Sequence, residues 1–122
     1  AEMGAPRVPL GIMVEVPAAA IRARDFAGLV DFVSIGTNDL AQYVLAADRT
    51  DPDVGELASQ EDPAVLDLVA WVCQELPTVP VGVCGDLAEQ PGYAARLIEL
   101  GVSSLSVPPL HIPEVKQAVR AG

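Results

Sequence analysis

The sequence predicts a parallel α/β fold made of about four βα units. Three observations carry that expectation. Apolar strand-like runs alternate with helical patterns four times, the rhythm of parallel strands joined by crossover helices. The first run is continuous rather than alternating, as expected for a strand covered on both faces. The chain is 51% hydrophobic but only 4% aromatic, so its core must be built from Val, Leu, Ile and Ala.

The first strand is expected over residues 8–14, Val-Pro-Leu-Gly-Ile-Met-Val, and it ends at Glu15-Val16-Pro17. Pro17 suits the first turn of a helix, which is expected to run over 18–28 and stop at Gly28. The second strand is expected over 31–36, with a short helix over about 40–47 and a tight turn between them. Asp48-Arg49-Thr50-Asp51-Pro52-Asp53 is turn-rich and reads as a loop. Asp62-Pro63 is an N-cap followed by proline at the first helical position. Val65, Leu68, Val69, Val72 and Leu76 then recur at helical spacing. The third strand is expected over 79–84 and a helix from Gln90-Pro91 to Leu100-Gly101. The fourth strand follows over 102–107 and the last helix over 113–120.

A closed eight-stranded barrel of the TIM type needs about 250 residues, and this chain has 122. One domain at most is present, either a small open sheet or half of a barrel. Residues 37–78 separate the second and third strands, far more than one crossover helix requires. The surplus, about 38–61, is expected to lie over the carboxyl end of the sheet as a lid or site wall.

Seventeen acidic residues against seven basic give a formal charge of −10. That balance argues against nucleic acid or an anionic membrane as a partner, since both need a basic face. No apolar run reaches the roughly 20 residues of a membrane span, and the start lacks a signal-peptide pattern. Cys73 and Cys84 do not form a disulfide framework. A soluble, cytoplasmic protein is expected.

Parallel strands carry their carboxyl ends at one edge, where ligands bind. Glu15, Asn38, Asp39, Cys84 and Ser106 all fall at or near such ends. Glu15 and Asp39 suit one hard cation such as Mg²⁺, which takes one or two carboxylates plus water and phosphate oxygens; equally, each suits a helix N-terminus. Arg49 is the one base in the surplus connection. Its guanidinium suits bidentate phosphate binding, or an ion pair with Asp48, Asp51 or Asp53. Cys84 is either an acid–base thiol at a strand end or a small core residue. Cys73 reads as core, and His111 as a local cap or surface residue.

These segments together resemble a known family. Gly11-Ile12-Met13-Val14-Glu15-Val16-Pro17, Asp31-Phe32-Val33-Ser34-Ile35-Gly36-Thr37-Asn38-Asp39-Leu40, Gln42-Tyr43, Ala47-Asp48-Arg49 and Val83-Cys84-Gly85-Asp86-Leu87-Ala88 carry the likeness, with Pro63-Ala64-Val65-Leu66 and Ile112-Pro113-Glu114-Val115-Lys116. They resemble the phosphoenolpyruvate-utilising enzymes. Within these they are similar to the Enzyme I branch of the bacterial sugar phosphotransferase system, more than to the pyruvate phosphate dikinases or phosphoenolpyruvate synthases. The resemblance implies the C-terminal half of a (β/α)8 barrel. It implies Mg²⁺ on Glu15 and Asp39, phosphate on Asn38, Asp39 and Arg49, and Cys84 as the acid that protonates enolpyruvate. It also implies as partners a phospho-histidine domain of the same enzyme and, through it, a histidine-containing carrier protein.

The chain departs from the family pattern at Asp86, where Glu is usual, and at Ala41, where Thr is usual. The family's further arginines and its phosphorylated histidine have no counterpart here, so the fragment alone is expected not to complete phosphoryl transfer. Unpaired outer strands predict a homodimer or higher assembly.

Overall fold

The computed structural model describes residues 4–122, and they form a mixed α/β fold around one parallel sheet. Its strands are Gly11–Val14 (β1), Phe32–Gly36 (β2), Val81–Cys84 (β3) and Ser104–Ser106 (β4), side by side in chain order. Six α-helices accompany them: Pro17–Ile21 (α1), Thr37–Val44 (α2), Pro63–Glu75 (α3), Asp86–Glu89 (α4), Pro91–Glu99 (α5) and Ile112–Ala121 (α6).

The register divides the sheet into two unlike faces. Val14, Ile35 and Val83 share one face with Val33 and Val81, and all five are buried. They pack into one cluster with Ala20, Leu40, Val65, Val69, Val72, Leu76, Leu87 and Leu97 from the helices. The opposite face carries Met13, Phe32, Ser34, Gly82, Cys84, Ser104 and Ser106. None of these seven is buried, and Met13 and Phe32 are 52% and 45% exposed. The expectation of a first strand covered on both faces is therefore corrected. One face is buried under helices, and the other is open and built of small or polar side chains.

Strand positions follow the apolar runs but are shorter. β1 starts at Gly11 rather than at Val8, and Val8 and Leu10 are exposed. Its only strand neighbour among the described residues, β2, begins at Phe32, and Asp31 ends the pairing by exchanging hydrogen bonds with Leu10. β4 likewise contracts to Ser104–Ser106.

Helix boundaries differ more, and each difference has a packing reason. The helix expected over 18–28 ends at Ile21 and tightens into a 3-10 turn, Ala23–Phe26. Three residues per turn aligns Ala20 with Ala23, and both are fully buried. α2 begins at Thr37, directly after the strand, with no turn between. Thr37, Leu40 and Ala41 form its buried stripe, so the polar Thr-Asn-Asp stretch is the first helical turn. α2 ends early because Ala46 adopts a left-handed φ of 51°. α4 was not expected.

α3 matches its pattern: the Asp62 carboxylate accepts from Ala64 N at 2.9 Å, and Val65, Val69 and Val72 are fully buried. Among the described residues, no helix is long and apolar enough to cross a membrane.

Candidate active site

Glu15, Gly36, Asn38, Asp39, Arg49, Cys84 and Gly85 line one cleft of about 200 Å³ with Met13, at the carboxyl ends of β1, β2 and β3. All five predicted site residues are thus brought together from four separate stretches of chain. Ser106 does not line this cleft; it sits on the open sheet face. His111 does not line it; its Nε2 lies 3.6 Å from Glu89, and its side chain caps no helix.

Glu15 reaches the cleft by folding over Gly36. A Cβ at Gly36 would lie 3.1 Å from Glu15 Oε2 and 3.3 Å from Met13 Sδ, so glycine makes room for the carboxylate. Asp39 stands in the first turn of α2, where a negative charge suits the helix dipole. Arg49 pairs with Asp39 at 3.4 Å rather than with Asp48, Asp51 or Asp53. Two of those acids cap their own loop: Asp48 Oδ1 accepts from Thr50 N and Oγ1, and Asp51 Oδ1 accepts from Asp53 N. The Thr50 hydroxyl, then its backbone N–H, holds the Asp48 carboxyl below its ordinary value. Arg49 N donates to Gln42 Oε1 at 3.2 Å, which ties the loop back to α2.

Cys84 is half-buried at the end of β3. Ser34 Oγ donates to its Sγ at 3.5 Å, and the thiol points to Ile35 O at 3.6 Å. Cys73 instead packs against the core, and burial raises its thiol above the ordinary value.

Three residues hold the backbone after Cys84. Asn38 Oδ1 accepts from Asp86 N at 3.0 Å, Gln60 Oε1 accepts from Leu87 N at 3.2 Å, and Thr37 Oγ1 lies 3.3 Å from Cys84 O. Gly85 between them has φ +123°, and a Cβ there would collide with Thr37 Oγ1 and lie 2.5 Å from Asn38 Oδ1. Sequence reasoning missed Ser34 and Gln60. Ser34 was legible as the polar residue inside an apolar strand. Gln60 gives no local signal, because its partners lie 23 and 27 residues away.

Two carboxylates on one cleft fit a hard divalent cation that completes its shell with water and phosphate oxygens. Among the described residues no three His, Cys, Asp or Glu side chains group as an all-protein metal site. Two carboxylates also outnumber the single guanidinium among the lining residues, so the cleft carries more negative than positive side-chain groups.

The fold and the cleft define a class: a parallel βα assembly presenting carboxylates, a guanidinium and a thiol at the carboxyl ends of its strands. The family described as PEP-utilising enzyme, PEP-binding domain, matches residues 2–122, and the chain belongs to that family. It is 48% identical over 122 residues to a multiphosphoryl transfer protein of Xanthomonas campestris pv. campestris, covering 98% of this chain and 15% of the relative. It is 48% identical over 111 residues to a phosphoenolpyruvate-protein phosphotransferase of Haloferax volcanii, covering 89% of this chain and 20% of the relative. A probable phosphoenolpyruvate synthase of Archaeoglobus fulgidus is 38% identical over 117 residues, covering 93% of this chain and 15% of the relative. The chain thus spans only 15–20% of the length of these relatives.

Proposed function

We propose that this chain is the phosphoenolpyruvate-binding catalytic part of a phosphoenolpyruvate–protein phosphotransferase. The observation that carries the reading is the single cleft shared by Glu15, Asn38, Asp39, Arg49 and Cys84. The reaction moves the phosphoryl group of phosphoenolpyruvate to a histidine on another domain and releases pyruvate, the entry step of sugar phosphotransfer.

Arg49 exchanges Asp39 for the phosphate and neutralises its oxygens, where charge develops in a loose transition state. Asn38 Oδ1 is engaged by Asp86 N, which leaves its amide nitrogen to donate to a phosphate oxygen. Glu15 and Asp39 are the residues to hold Mg²⁺, which would add positive charge at the phosphate and the departing enolate. As the phosphorus–oxygen bond breaks, its electrons pass to the enolate, and Cys84 Sγ–H gives its proton to the methylene carbon. The products are pyruvate and a Cys84 thiolate that recovers a proton from water. In reverse, the thiolate removes a proton from the pyruvate methyl group.

Sequential parallel strand order, with helices packed on one face and an open opposite face, supports the C-terminal half of a barrel. In that arrangement Met13, Phe32, Ser34, Ser104 and Ser106 line its interior, and β1 and β4 await partner strands. The same open edges support a homodimer or higher assembly. Cytoplasmic residence follows from the reaction's substrate.

The similarity to a probable phosphoenolpyruvate synthase favours a second reading, in which ATP rather than a carrier protein is the distant partner of the phosphate exchange. Incubating the full-length protein with Mg²⁺ and a histidine-containing carrier protein, in one arm with phosphoenolpyruvate and in the other with ATP, followed by mass spectrometry, separates the two. A phosphohistidine that passes to a carrier protein supports the phosphotransferase. Phosphorylation only from ATP overturns it in favour of the synthase.

A further inference from the structure

Gln60 lies outside the cleft, in the stretch just before α3, yet its side chain bridges the two elements that meet beneath Cys84. Its Oε1 accepts from Thr37 Oγ1 at 2.6 Å and from Leu87 N at 3.2 Å. Thr37 is the one buried polar side chain among the described residues, and it is fully enclosed. A hydroxyl has one proton to give. The shorter contact assigns it to Gln60, so the Cys84 carbonyl at 3.3 Å takes the weaker share.

We propose that Gln60 is a positioning residue for Cys84. Through one oxygen it anchors the first turn of α2 to the first turn of α4, and so fixes the backbone from Cys84 to Leu87. Without that oxygen the Leu87 N–H has no acceptor, and the Thr37 proton turns to the Cys84 carbonyl. Gly85 makes the segment dependent on such ties, because at φ +123° it has no side chain of its own to lock the turn. Gln60 also closes the long connection that carries Arg49, so the loop bearing the guanidinium and the strand end bearing the thiol share one anchor. The inference rests on the reading of Cys84 as the proton donor.

The test compares Gln60→Leu, which keeps the size but removes the acceptor, with Gln60→Glu, which keeps an oxygen. Both are made in the full-length protein. The readouts are deuterium exchange into the pyruvate methyl group, which reports the Cys84 step, and KM for phosphoenolpyruvate.

Gln60→Leu is expected to slow the exchange roughly ten- to hundredfold while KM stays within about twofold. Gln60→Glu is expected to restore most of the rate. If Gln60→Leu exchanges at the parental rate while Cys84→Ala abolishes exchange, the positioning role is overturned and the Cys84 reading stands. If Gln60→Glu falls as far as Gln60→Leu, the accepting oxygen is not the working atom and the proposal fails. If Cys84→Ala itself retains exchange, the proton-donor reading fails and takes the proposal with it. Should Gln60→Leu not unfold cooperatively, Gln60→Met replaces it with the same expectations, since it too removes the accepting oxygen at similar size.

Discussion

The Arg49 guanidinium lies 3.4 Å from Asp39 Oδ1 across the cleft, and the two side chains are 40% and 39% exposed. An ion pair so open to water is worth about 0.2–1 kcal/mol. It holds both charges in place yet gives way to a stronger partner. A phosphate offers the guanidinium two parallel hydrogen bonds, so under the proposed function substrate would displace Asp39 at little cost and leave its carboxylate for a cation.

Arg49→Lys tests the fork directly. The charge is kept and the bidentate geometry lost. Turnover in the full-length protein is expected to show kcat/KM for phosphoenolpyruvate reduced by on the order of tenfold or more, with unchanged stability, because Arg49 is exposed. A variant as efficient as the parent sinks the phosphate-binding role.

The metal assignment makes a separate prediction. Chelation with EDTA is expected to abolish phosphoenolpyruvate turnover, and Mg²⁺ to restore it. Asp39→Asn is expected to raise the Mg²⁺ concentration needed by on the order of tenfold or more. A Mn²⁺ titration read by paramagnetic broadening checks the location: broadening should centre on Glu15 and Asp39 and weaken in the variant. Broadening elsewhere removes these carboxylates from the metal site.

Gly85→Ala brings two penalties together, a left-handed φ and a Cβ directed at Thr37 and Asn38. Chemical denaturation is expected to show a loss of about 1–3 kcal/mol. Gly28→Ala is the control: it too has positive φ, +78°, but nothing lies within 4 Å of its Cβ. Equal losses at the two positions leave crowding without a role.

Burial raises the Cys73 thiol above its ordinary 9.0. The unfolded thiol ionises near 9 while the folded one keeps its proton, so above that pH the folded state binds more protons and stability falls as pH rises. Urea midpoints are expected to drop between pH 8 and 10, and Cys73→Ala to flatten that drop. A slope identical in both proteins rules the thiol out.

Some of this arrangement was written locally and some was not. β2 and β3 were legible because Val33, Ile35, Val81 and Val83 form short apolar runs bounded by turn residues. α3 was legible because Asp62-Pro63 marks its start and Val65, Val69 and Val72 keep helical period. The start of α2 was not, because Thr37, Asn38 and Asp39 have turn-like composition and are helical only through the burial of Thr37. Likewise the apolar run of β1 reads as covered on both faces, since such a run does not say how many neighbours it has. In the site, parallel topology predicted that Glu15, Asn38, Asp39 and Cys84 converge. It did not predict that Arg49 would choose Asp39, with Asp48 and Asp51 engaged by Thr50 and by the Asp53 N–H.

Neighbours in the sheet are distant along the chain. Val33 pairs with Val81, and Thr37, Asn38 and Gln60 reach across the same seam to residues 84–87. Closing so long a loop carries an entropic cost that must be met before its contacts form, and such pairings are slow. By sequence separation, the seam expected to close last is the one that builds the cleft. A newly made chain can therefore hold its helices and the β1–β2 pair before it has a site at all. In pulse-labelled hydrogen exchange, the amides of Asp86 and Leu87 should gain protection together with that of Val33, which bonds Pro80 O. Competence then arrives in one step, at the end of folding.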